Sequence, residues 1–239
     1  MVSVFLFVDM NSLTLERDML SKRSMVVALV LMGSFAAGSC LSGCASTGIA
    51  VRETLGTPKR EQLVDRVDET RDAQESAKVQ FATTLDELKS LSGFDGGELE
   101  DAYSRLKKQL ERAEHRADNV SDKIKSVERV GKALFSEWEK ELDEYATESL
   151  RRASEKQLDE TQSAFDDVLD AMKAAEGKMG PVLAAFSDQV LFLKHNLNAR
   201  AIASLDDTLG ELESEIAELI ADMEASIDEA NAFIDEMGS

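Results

Sequence analysis

Thiols and imidazoles, the side chains best suited to chemistry near neutral pH, are scarce here: two cysteines and two histidines in 239 residues. Cys40 and Cys44 stand four apart, and Cys44 follows Leu41, Ser42 and Gly43. A thiol can pair in a disulfide, ligate a metal or act as a nucleophile. A carboxylate-bridged metal site in a helical bundle needs Glu-x-x-His on two helices. Three residues before His115 stands Arg112, and three before His195 stands Phe192, so both fail. Phosphate-cradling and dinucleotide-binding glycine patterns do not occur. Neither histidine has a context that would make it the base for a nucleophile. The residues therefore predict no catalytic centre, metal site or cofactor. His115 reads as a surface residue and His195 as exposed or structural.

The segment around Cys44 resembles the lipobox of bacterial lipoproteins, with all four consecutive positions, Leu41-Ser42-Gly43-Cys44, in agreement. A basic pair, Lys22-Arg23, and an apolar run over Met25–Ala37 precede it in the order of an export signal. The resemblance implies that a signal peptidase recognises Leu41, Ser42 and Gly43 and cuts before Cys44, whose thiol carries a diacylglycerol. Cys40 is a poorer acceptor, because no Leu-like residue stands three positions before it. The bland alternative is a membrane-anchoring helix with an incidental cysteine. A span needs roughly 20 apolar residues, and Gly33, Ser34, Gly38 and Ser39 interrupt this one. Asp9, Glu16 and Asp18 separate residues 1–18 from the apolar run, so translation is expected to start at Met19. Residues 1–43 are thus read as the signal region and 44–58 as a lipidated N-terminus with a short tether. Two acyl chains hold a protein firmly to a bilayer. Ala45, rather than the Asp common in inner-membrane lipoproteins, implies the periplasmic face of the outer membrane. After such cleavage the body retains no thiol.

Residues 59–237 have the composition of long helices: 31% charged, 5% aromatic and 2 prolines in the whole chain. Leu63, Val67, Thr70, Gln74, Ala77, Phe81, Thr84 and Leu88 alternate at four-three spacing, a heptad seam. Gly93-Phe94-Asp95-Gly96-Gly97 then ends the helix. A second seam runs from Leu99 to Trp138, falters between about 146 and 164, and resumes in another phase at Phe165. Gly177, Gly180 and Pro181 read as the next break. A last seam runs from Val182 to Met237 across a polar interruption at Asn196 and Asn198. The fold class expected is all-α: an elongated, antiparallel, coiled-coil-like bundle of three long helices, or four if the chain breaks near 146–164. In its simplest form a central helix over 98–176 would run roughly 120 Å, with 59–91 and 181–236 folded back along it. A compact four-helix bundle broken near 146–150 is the rival.

Net charge is −20, and nucleic-acid affinity comes mainly from Lys and Arg neutralising phosphates. Nucleic acid is therefore an unfavoured partner. The charge is uneven. After Arg200 there is no cation but there are twelve acids, whereas 98–132 carries nine bases. Opposite charges flanking a seam can select which helices pair; a merely solvated acidic face explains the same pattern equally well.

Three phrases carry a family resemblance: Glu53–Val67 (ETLGTPKREQLVDRV), Leu91–Gly97 (LSGFDGG) and Val190–Ile202 (VLFLKHNLNARAI). The body resembles the uncharacterised proteobacterial lipoproteins grouped as domain of unknown function 2959. That resemblance implies the fold and the membrane anchor and supplies no mechanism. The expectation is a non-enzymatic helical scaffold or interaction protein, attached to the membrane through lipid on Cys44 and meeting a protein partner or a second copy of itself. Lys194, His195, Asn196, Asn198 and Arg200 interrupt the last seam and mark where a partner surface is sought first. The alternative is an intracellular coiled coil associated with nucleic-acid or DNA-repair machinery.

Overall fold

The computed structural model describes residues 58–92, 99–196 and 199–238. They form four helices: α1 Lys59–Ser92, α2 Leu99–Glu141, α3 Glu148–His195 and α4 Ala199–Gly238. A single 3-10 turn, Leu142–Glu144, follows α2. Among the described residues there is no strand.

The helices pack in ring order, α1 on α2, α2 on α3, α3 on α4, and α4 back on α1. Neighbours run antiparallel, as cross-helix bonds at both ends of α1 show. Near its start, Lys59 Nζ reaches Glu137 Oε2 at 2.8 Å at the end of α2. Near its end, Glu87 Oε1 accepts from Arg105 Nε at 2.9 Å near the start of α2. Arg60 likewise meets the Met237 carbonyl at 2.6 Å, and Lys89 meets Glu213 at 2.8 Å. Phe81, Leu106, Ile124, Met172, Phe186, Leu205, Ile216 and Leu219 are among the fully buried side chains of the shared core. Each contributes about 1.5–3 kcal/mol by leaving water.

The all-α, antiparallel bundle is as the sequence led us to expect, and the described residues form four helices. The simplest arrangement, a continuous 98–176 helix, gives way to the four-helix rival. α2 has 43 residues, about 65 Å of helix, and stops at Glu141. The physical reason is stripe width. Ala102, Val130 and Phe135 are buried in addition to the four-three positions of α2, so its apolar face is wide enough to cover two neighbours. The turn is stapled on both sides: Trp138 Nε1 donates to Ser154 Oγ at 2.8 Å, and Tyr145 Oη donates to the same oxygen at 3.3 Å. Beyond it, Glu148 draws in Arg151 at 3.1 Å and Arg152 at 2.7 Å. The faltering 146–164 stretch is therefore the polar first turns of α3.

The expected break at Glu176–Pro181 does not occur, for α3 passes through Gly177, Gly180 and Pro181 without interruption. Ala175, Met179, Val182 and Phe186 continue its buried stripe across the segment. Tertiary packing outweighs the poor local propensity of Gly and Pro. The chain instead turns after His195, at the Asn196–Asn198 interruption.

Candidate partner surface

Leu41, Ser42, Gly43 and Cys44 lie outside the described residues, as do residues 44–57 of the expected tether. Of the expected partner surface, Lys194 and His195 are exposed in the last turn of α3, and Asn196 caps it. Asn198 lies outside the described residues, and Arg200 falls in the first turn of α4. Asn196 has a clear structural task. Its backbone N–H donates to the Leu193 carbonyl at 3.1 Å, and its Nδ2 donates to the Phe192 carbonyl at 2.9 Å. Carbonyls that lose their helical partners at a C-terminus are thereby satisfied. Lys194 and His195 also lie at the negative end of the helix dipole, where cations are favoured.

Two apolar residues adjoin them. Leu191 is 56% exposed and Phe192 41%, although nearly every other large apolar side chain in this half of α3 is buried. Leu191 also lines a cleft of about 300 Å³ between α2 and α3, where Tyr103, Leu110 and Val190 meet Lys107, Lys194, Glu111 and Glu114. The surface therefore combines an apolar step with a rim of both charges, the Lys107 and Lys194 ammonium groups and the Glu111 and Glu114 carboxylates, Lys107 and Glu111 standing 3.6 Å apart. Sequence reasoning selected the polar members of Val190–Ile202 and passed over Leu191 and Phe192. The available signal was phase: neither falls on the four-three stripe of Val190 and Leu193.

His115 is exposed on α2, beside Arg112 and Arg116. Among the described residues, no group of three or more His, Asp and Glu is placed to hold a metal ion. No helix among them is long and apolar enough to cross a membrane.

Of the two readings of the uneven charge, pairing between the acidic and basic stretches is not what the bundle shows. The acids of α4 meet cations of α1 and α3: Glu213 with Lys89 at 2.8 Å, Glu224 with Lys78 at 3.5 Å, and Asp222 with Lys178 at 2.8 Å. Hydrogen bonding to Asp222 raises the pKa of Lys178, and bonding to Glu75, then Glu224, raises that of Lys78. The basic stretch of α2 is not among these partners. Its ion pairs go to Glu69 and Glu87 on α1 or to acids on its own helix. The ring order puts α2 and α4 at opposite corners, so the two most complementary charge stretches in the sequence do not pair within the bundle.

None of the curated proteins compared matches this chain, and none of the solved structures does. One family model does match, over residues 49–237, which begins just after Cys44 and includes all four helices. By that match the chain belongs to the family described as protein of unknown function (DUF2959).

Proposed function

We propose that this protein is a non-enzymatic helical scaffold or interaction protein, held to the periplasmic face of the outer membrane by lipid on Cys44. The attachment rests on the four residues Leu41–Cys44 and the basic and apolar segments before them. The interaction role rests on one observation: an exposed Leu191–Phe192 step beside a cleft rimmed by Lys107, Lys194, Glu111 and Glu114, in a half of α3 whose other large apolar side chains are nearly all buried. Apolar surface left in water beside groups of both charges suits a protein partner with an apolar anchor and a polar rim. A chain of net charge −20 has little electrostatic attraction for nucleic acid.

Two measurements test the two halves. Metabolic labelling with a palmitate analogue should mark the wild-type chain and leave Cys44→Ala unlabelled, with the wild type in the outer-membrane fraction. An unlabelled, cytosolic wild type would favour the intracellular alternative. A photocrosslinking side chain at position 192 should capture a discrete partner band that the same probe at the exposed Asp166 does not. Equal capture at both positions would remove the support for this surface.

A further inference from the structure

Most cations on α1, α2 and α3 have a carboxylate partner. Lys108, Arg112 and Arg116 have none among the described residues, although all three are exposed and stand four residues apart along one face of α2. Arg112 makes a single long bond to Gln109 Oε1 at 3.5 Å. The cause lies on α1. Between the Glu69–Lys123 and Glu87–Arg105 pairs, the α1 side chains that bond to α2 are Gln80 and Thr84, which carry no charge. The Gln80 amide is already committed to Gln109 at 2.9 Å and to Thr84 at 3.3 Å. The cations, with His115, line a shallow cleft of about 460 Å³ above Gln80; the one carboxylate of the cleft, Glu111, lies 3.6 Å from Lys107.

The surface that complements this ridge is on the same molecule, at the opposite corner. The outer face of α4 presents Ala217, Ala221 and Ala225, all exposed, so another helix can approach closely. Exposed Glu215 and Asp228 flank them without a basic partner among the described residues. Glu218 and Glu224 hold theirs only at 3.6 and 3.5 Å. Height matches as well. Gln80 lies under Arg112, while Lys78, half a turn away on α1, reaches Glu224. The basic ridge and the acidic face are therefore level. Both helices run antiparallel to α1 and hence parallel to each other.

We propose that the chain associates with copies of itself, the Lys108–Arg112–Arg116 ridge of one docking on the α4 face of the next. Because the two surfaces are different patches on opposite corners, the contact is heterologous. Each added copy leaves one free ridge and one free acidic face, which builds open rows rather than closed dimers. Copies in a row share one orientation, as they would when tethered to one membrane, but the contact itself needs no anchor. The net charge opposes association at long range. At ~0.1 M salt the screening length is about 10 Å, which confines the interaction to the contact, where the signs are opposite.

Sedimentation of the detergent-solubilised full chain at ~0.1 M salt, read as protein mass, tests this. The mass should climb with concentration past twice the monomer's without levelling, and fall back to monomer at ~1 M salt, where screening shortens to about 3 Å. The triple variant Lys108→Glu, Arg112→Glu, Arg116→Glu should be monomeric, and so should Glu215→Lys, Glu218→Lys, Asp228→Lys. An equimolar mixture of the two should associate again, because each then meets a complementary ridge; this recovery also shows that both variants fold. A monomeric wild type, a mass that levels at a dimer, or a mixture that stays monomeric would each overturn the proposal.

Discussion

Phe165 on α3 lies over Gly131 on α2 so closely that a Cβ at position 131 would stand 2.3 Å from its Cζ and 2.5 Å from its Cε2. The ring has no ready escape. It is 4% exposed, edge-on to Phe135 with centroids 5.2 Å apart, and 6.3 Å from Phe233. Gly131 is therefore the notch that lets three helices share one aromatic cluster. Gly131→Ala gains about 1 kcal/mol of helix propensity. Against that, overpacking a well-filled core costs about 1–3 kcal/mol. The expected net result is a loss of about 1 kcal/mol, read as a lower urea midpoint at unchanged slope. Adding Phe165→Leu should turn the alanine from harmful to helpful. An alanine that stabilises the wild-type background would show that the ring is free to move.

Gln74 is fully buried on α1 and accepts a hydrogen bond from Ser226 Oγ at 3.1 Å, across to α4. Its Nε2 finds no acceptor among the protein atoms described. An unmet buried donor costs about 1–3 kcal/mol. Gln74→Met with Ser226→Ala removes the orphan and keeps the volume, so it should raise stability by about that amount. Ser226→Ala alone should lower it, because both ends of the amide are then unmet. The two variants moving in the same direction in a denaturant titration would contradict this account. Polar groups at core positions can also fix which helices pair, at a cost in stability, so the stabilised double variant is a test case for loss of a unique topology.

The heptad seams made most of this core legible: nearly every position in the four-three lists, from Leu63 to Met237, is buried or half-buried. Seams report which residues face inward and not how many neighbours they face. The extra buried Val130 and Phe135, which commit α2 to two partners, are visible only once those partners are in place. The candidate partner surface was half legible for a related reason. Polar interruptions stand out against a stripe, whereas Leu191 and Phe192 look like more of the same apolar material. Charge complementarity between α2 and α4 was legible in the sequence, but the ring order that separates them was not.

The unbroken passage of α3 through Gly177, Gly180 and Pro181 makes a quantitative prediction. Each is a poor helix residue: Gly costs about 1 kcal/mol and Pro about 3 kcal/mol relative to Ala in a helix interior. A Cβ at Gly177 or at Gly180 would meet no heavy atom within 4 Å, and position 181 is exposed. Gly177→Ala and Gly180→Ala should each stabilise by about 0.5–1 kcal/mol, and Pro181→Ala by more. The triple variant should show the sum as a higher melting temperature with unchanged helicity by circular dichroism. A destabilised triple variant would mean that α3 bends there to pack.

Acid should weaken the α1–α2 contact through Glu69. Its carboxylate accepts from Lys123 at 2.7 Å and from Arg66 at 2.6 Å. The Lys123 bond, opposed by partial burial and aided by Arg66, lowers its pKa below the ordinary 4.5. Glu128 is lowered in the same way by Lys132 and then Lys173. A carboxyl group whose folded value is depressed stabilises the fold fully above its unfolded value, and the contribution is lost as pH falls through the folded value. Glu69 is 38% exposed, so its interactions are worth about 0.5–1 kcal/mol at most. The stability difference between wild type and Glu69→Gln should therefore be present at neutral pH, shrink as pH falls below 4.5, and vanish once the wild-type carboxyl is protonated. Salt should narrow it at neutral pH, because partly exposed pairs are screened. Urea midpoints of the two proteins, measured across the acid range, decide the matter. A difference that persists undiminished at the acid end would assign the Glu69 effect to packing or helix propensity instead of charge.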